Sequence, residues 1–145
     1  ELGERFVAER KVSPFLYEDT FEVLDKLKGK YQLVLLTNGA PRLQNLKLEI
    51  TPEIAPYFDH ISISGDFGKG KPDASIFEHV METAGITASD AIMVGDNLNT
   101  DILGSSRVGM RNVWINRENN KLTGNVTPTF EVDSLTALLK LVQEL

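Results

Sequence analysis

Three short polar stretches of this 145-residue chain hold the side chains from which phosphate chemistry beside a divalent metal could be built. Thr37-Asn38-Gly39 offers a hydroxyl and backbone amides, Lys71-Pro72-Asp73 an ammonium, and Gly95-Asp96-Asn97-Leu98-Asn99-Thr100-Asp101 a pair of carboxylates. Carboxylate oxygens suit Mg2+, and phosphoryl transfer is mostly positioning and charge stabilisation, so these residue types match that chemistry. Each stretch also has a plainer reading. Thr-Asn-Gly is common turn chemistry, most lysines are solvated, and carboxylates favour the first turn of a helix whatever their function. The functional reading gains because all three stretches follow apolar runs, in chain order. In an open parallel sheet such positions lie at the carboxyl edge, where ligands bind.

The elements that must position these groups show in the hydrophobic periodicity. Residues 17–28 place Phe21, Val23, Leu24 and Leu27 among charges and stop before Gly29, which predicts an amphipathic helix with a C′ glycine. Tyr31 to Leu36 is a short apolar run, the pattern of a strand covered on both faces. A helix from Pro41 with Leu43, Leu46 and Ile50 on one side follows, and Thr51-Pro52-Glu53 reads as a second helix start. His60 to Ser64 alternates as a strand, and Gly65 to Gly70 reads as a glycine-rich loop. Asp73 caps a helix whose Ile76, Phe77, Val80, Met81 and Ala84 form a stripe ending at Gly85.

The pattern repeats with a strand from Ala91 to Gly95 and a helix of about two turns from Asp101 to Val108. A strand from Asn112 to Ile115, a short strand at Phe130-Glu131-Val132 and a closing helix begun by Ser134 complete it. Alternating strands and helices at this spacing predict an α/β domain with a parallel sheet.

Composition narrows the partners. Fifteen Lys and Arg against twenty-one Asp and Glu give a net charge of −6, which disfavours nucleic acid and anionic membrane surfaces. With no cysteine and two histidines, any metal is oxygen-liganded rather than a Cys or His-rich site. No apolar run approaches the roughly 18 residues of a spanning helix, and no signal-peptide segment opens the chain. A soluble, cytoplasmic protein is the expectation, and the lone glycosylation sequon at Asn125 is read as chance.

On the residues just named, the chain resembles the haloacid dehalogenase-like hydrolase superfamily, closest to its small-metabolite and nucleotide phosphatases. Those enzymes carry a strand-end Ser or Thr, a Lys usually followed by Pro, and a closing G-D-x4-D. Thr37, Lys71 and the run from Gly95-Asp96 to Asp101 are the counterparts, and the resemblance spans about Tyr17 to Trp114. It implies a Rossmann-like three-layer sandwich and a Mg2+-dependent phosphatase that works through an aspartyl-phosphate on a small phosphorylated metabolite. It further implies that Thr37, Asn38, Gly39 and Lys71 bind phosphate. Asp96 would bind Mg2+ directly, and Asp101 would act through a metal-bound water or by orienting Lys71.

One part of the family pattern is absent. No Asp here has another Asp two residues later, so the first motif, D-x-D, has no counterpart. In the family that motif ends a central strand lying between those that would be Tyr31–Leu36 and Ala91–Gly95. The chain also opens on Glu1 rather than Met. The expectation is therefore the C-terminal piece of a longer protein, inactive alone, with residues 1–14 ending a helical cap and 15–145 forming an incomplete core. Its strands would flank a gap, with open edges prone to self-association.

Two other classes compete. Gly65 to Lys71 satisfies G-x4-G-K, the phosphate loop of nucleotide hydrolases, but Pro72 stands where a Ser or Thr should meet Mg2+. Asp66-Phe67-Gly68 mimics a kinase motif without the rest of that set. A noncatalytic doubly wound binding module would use the same strand ends without chemistry, and predicts Lys71 pointing away from Asp96.

Overall fold

A computed structural model describes residues 19–39, 52–122, 124 and 126–145. The chain divides into two units, residues 1–63 and 64–145. In the first, helix α1 (Thr20–Leu27) buries Thr20 and Val23, and the chain reverses through Gly29 at φ +89°. Phe21 rests on Tyr57, ring centroids 5.9 Å apart, and the Tyr57 hydroxyl donates to the Asp25 carboxylate. That bond, and secondarily burial, raises the Tyr57 phenol above its ordinary value, because ionised tyrosine could not donate it.

Strand β1 (Val34–Thr37) pairs in parallel with β2 (His60–Ile63), Val34 opposite His60 and Thr37 opposite Ile63. The apolar run predicts a start at Tyr31, yet the ladder begins three residues later. Ahead of it, the Leu33 amide donates to the Asp59 carboxylate at 2.9 Å, and the Asp59 amide returns a bond to the Leu33 carbonyl at 2.7 Å. Tyr31 instead bridges to Lys28. The strand's four residues are half-buried rather than sealed on both faces. The helix expected from Pro41 lies outside the described residues. Where Thr51-Pro52-Glu53 predicts a further helix, the described residues from Pro52 onward form a turn and one 3-10 turn at Ala55–Tyr57.

The second unit opens with a correction. Ser64, predicted as a strand end, and Gly65–Phe67, predicted as the start of a glycine-rich loop, close a helical turn, α2 (Ser64–Phe67), that Gly68 ends at φ +97°. Helix α3 (Ala74–Ala84) follows the expected pattern. The Asp73 carboxylate accepts from the Ser75 amide, and Gly85 leaves the helix at φ +72°. Ile76, Phe77 and Val80 form its buried stripe.

Strand β3 (Ile92–Gly95) leads into a π turn at Leu98–Ile102, then α4 (Leu103–Arg107), β4 (Arg111–Ile115), β5 (Phe130–Val132) and α5 (Leu135–Gln143). The three strands are parallel in the order β3-β4-β5. Alternation along β4 makes the unit three layers deep. Val113 and Ile115 pack on Leu138 of α5, while Trp114 packs on Leu98 and Ile102 at the other face. Helix α3 seats on α4 at Gly104, where an added Cβ would overlap the Phe77 ring and press on the Pro72 backbone. Parallel pairing and layered helices agree with the α/β expectation. The sheet is divided: among the described residues β1 pairs with β2, and β3 with β4, as two separate ladders.

Candidate active site

The richest arrangement lies in the second unit, at the carboxyl end of β3. Gly95 ends the strand, and a Cβ there would overlap the Asp101 side chain, so only glycine lets that carboxylate fold back against the strand end. The π turn brings Asp101 to this place. The amides of Asp101 and Ile102 both donate to the Asn97 carbonyl, at 2.9 and 3.3 Å, the second bond spanning five residues. The Asn97 side chain caps the turn by accepting from the amides of Asn99 and Thr100. A plain α-helix was expected from Asp101. The widened turn starts three residues earlier and buries Asp101 to 5% exposure.

Asp101 spends both oxygens within the protein. Oδ1 accepts from Lys71 Nζ at 2.5 Å and Oδ2 from the Asn97 amide at 3.2 Å. The ion pair is nearly sealed, the two side chains 10% and 7% exposed, and the second bond satisfies the carboxylate further. The 30-residue separation between Lys71 and Asp101 is thus closed at hydrogen-bond range. The pair sets Lys71 against the turn that follows Asp96. It runs against a nucleotide phosphate loop, whose lysine must be available to a triphosphate and whose glycine-rich segment is here partly the helical turn α2.

Asp96 is different. It is exposed, and its carboxylate has neither hydrogen bond nor ion pair among the described residues, while its backbone carbonyl accepts from the Trp114 indole at 3.1 Å. No group of three or more His, Cys, Asp or Glu residues gathers to hold a metal among the described residues. Mg2+ usually takes one or two carboxylates and fills its remaining positions with water and substrate phosphate oxygens. The exposed Asp96 carboxylate is one oxygen ligand of that kind.

Asp73, next to this region, has its carboxyl held below the usual value, first by the Ser75 hydroxyl and then by the Ser75 amide. In the first unit, Thr37, Asn38 and Gly39 stand at the carboxyl end of β1. The Thr37 hydroxyl donates to the Asn38 carbonyl at 3.3 Å, and Gly39 takes φ +133°. Of the residues singled out from the sequence, the structure joins Lys71 to Asp101 and sets Asp96 between β3 and the cap of the π turn.

Sequence reasoning missed the layer beneath the turn. Asn112 is 1% exposed, donates to the Ile102 carbonyl and to the hydroxyls of Ser105 and Ser106, and accepts from the Thr129 amide. Ser105 in turn donates to the Asp101 carbonyl at 2.7 Å. The available signal was Asn112 itself, a polar residue leading an otherwise apolar strand.

This geometry defines a class, and the family follows from comparison. The family model for haloacid dehalogenase-like hydrolases matches residues 3–109, and the chain belongs to that family. Among curated relatives, the N-acylneuraminate-9-phosphatase of Rattus norvegicus is 37% identical over 132 residues, covering 90% of this chain and 53% of the relative. The phosphoserine phosphatase of Thermus thermophilus is 35% identical over 135 residues, covering 93% and 54%. Among solved structures, YfnB of Bacillus subtilis bound to magnesium superposes with a TM-score of 0.82 at 27% identity, covering 88% of this chain and 56% of that one. The chain thus spans about half the length of the curated relatives it matches.

Proposed function

We propose that the whole protein is a Mg2+-dependent phosphatase of a small phosphorylated metabolite. The observation that carries this reading is the buried Lys71–Asp101 pair at the end of β3, with the exposed Asp96 the first residue after that strand. Family membership and relatives named as phosphatases support the same reaction class. Asp101 holds the Lys71 ammonium in one place, so that it meets the phosphate's negative charge already oriented. Asp96 would hold the metal, which would supply charge neutralisation at the phosphate.

Phosphoryl transfer through an aspartyl-phosphate needs an attacking carboxylate, and no D-x-D motif supplies one within these residues. The 145 residues alone are therefore expected to be inactive. The test is phosphate release from N-acylneuraminate 9-phosphate, phosphoserine, nucleoside monophosphates and sugar phosphates by the whole protein, with and without Mg2+. Release that requires Mg2+ and disappears in Asp96→Ala is the expected result. Turnover unaffected by EDTA would refute the mechanism, as would clean turnover by the 145-residue chain.

A further inference from the structure

At the amino end of the first unit's ladder, where the chain enters β1 and β2, lies an open cleft of about 590 Å3. Lys28, Lys30, Tyr31, Gln32, Asp59 and His60 line it. Thr37 stands at the other end of β1, so the strand alone puts roughly 10 Å between them.

Backbone bonds shape this cleft before any ligand arrives. The amides of Lys30 and Tyr31 both donate to the Leu27 carbonyl, at 3.1 and 3.2 Å, and Tyr31 bridges back to Lys28. Asp59 and Leu33 tie the second wall to the first with their two bonds. A site shaped in advance spends less of its binding energy on ordering.

Charge singles the cleft out. Asp59 is its one carboxylate, and both oxygens are engaged: Oδ2 accepts from the Leu33 amide at 2.9 Å, and Oδ1 faces Lys28 Nζ at 3.8 Å. Lys28 is further held by the Tyr57 carbonyl at 3.3 Å. The acids of α1 are committed elsewhere, Asp25 to the Tyr57 hydroxyl and Glu22 to Lys26. Lys30 makes no ion pair among the described residues. Two ammonium groups thus face one engaged carboxylate, in a chain whose net charge is −6. Tyr31, 47% exposed, adds a ring and a phenol, and His60 adds an imidazole. Ammonium groups only donate, so they call for a ligand rich in acceptor oxygens. The volume is that of a small-molecule site rather than of a bare ion.

We propose that this cleft binds a small phosphorylated anion of mononucleotide size, its phosphoryl oxygens meeting Lys28 and Lys30 and the rest of it lying against Tyr31 and His60. The site stands independently of the Mg2+ and phosphatase reading.

The chain's two histidines give the test an internal control. His60 lines the cleft, while His79 lies on α3 in the second unit, stacked on Phe67. The 145-residue chain is titrated with adenosine 5′-monophosphate in EDTA while NMR follows the two imidazole Cε1–H signals, assigned with His60→Gln. The His60 signal should move saturably and the His79 signal should stay still. Inorganic phosphate should bind about tenfold more weakly for want of a base to rest on the rings, and adenosine should move neither signal. Lys30→Ala should weaken binding of the nucleotide about tenfold, the lower size of a hydrogen bond to a charged group, with its melting temperature unchanged because that lysine is exposed. A still His60 signal overturns the proposal, and so does undiminished affinity in Lys30→Ala. Adenosine or inorganic phosphate binding as tightly as the nucleotide overturns it as well, as does a common drift of both histidine signals, the mark of a general ionic response.

Discussion

Lys71 and Asp101 each lose water on folding and recover that cost from the other, so removing one strands the other. Lys71→Met should destabilise the chain by about 3–5 kcal/mol in urea unfolding, the cost of an uncompensated buried charge. The double variant Lys71→Met/Asp101→Asn should lose clearly less than the sum of the two single changes. Strict additivity would show that the pair does not act as a unit. Two titrating groups give opposite pH signatures. The Asp73 carboxyl is lowered in the fold, so its contribution is full above its unfolded value of 3.8 and fades as pH falls through the depressed one. The Tyr57 phenol is raised, so its contribution is full below its unfolded value of 10.0 and fades as pH rises through the higher one. Tyr57→Phe should abolish that alkaline component, and an unchanged alkaline limb in pH-dependent melts would exclude it. At this scale the arrangement around the turn was partly legible. Lys71 and Asp101 could be picked out because their types and strand-end positions are local facts. Trp114 could not, since an aromatic residue in an apolar strand looks like core until the acceptor of its N–H is known.

Caps and stripes carry most of the information about elements. Asp73, Gly85 and Ser134 mark helix ends in the sequence and mark them in the structure, since capping involves neighbours within a few residues. Boundaries set by distant partners were less legible. β1 begins at Val34 because β2 supplies its ladder partners from His60, and the turn before α4 widens into π geometry as Asp101 folds back beside Gly95. The seat of α3 on α4 gives a test at this scale. Gly104→Ala should cost about 1–3 kcal/mol through overlap with the Phe77 ring, and Phe77→Leu in the same chain should recover part of it. No recovery in thermal unfolding would place the strain elsewhere, against the Pro72 backbone.

For the molecule as a whole, among the described residues β3 pairs with a strand on one side only, and its sequence, Ile92-Met93-Val94-Gly95, carries no charge to discourage further pairing. The 145-residue chain should therefore associate as its concentration rises despite a net charge of −6, and Met93→Lys should reduce the association. Sedimentation velocity showing a monomer at all concentrations would contradict this. No described helix is long and apolar enough to cross a membrane. The sequence by itself determined the alternation of strands and helices, the acidic balance, the absence of cysteine and the residues that follow the strands, because each depends on residue type or on spacing over a few positions. Only the tertiary structure decided that, among the described residues, the strands form two ladders, Asp101 is occupied by Lys71 while Asp96 stays open, and Asn112 and Trp114 bond to backbone carbonyls around the turn. Those are meetings of donors and acceptors up to 30 residues apart, and which of them pair is settled when layers pack and every buried polar group must find a partner.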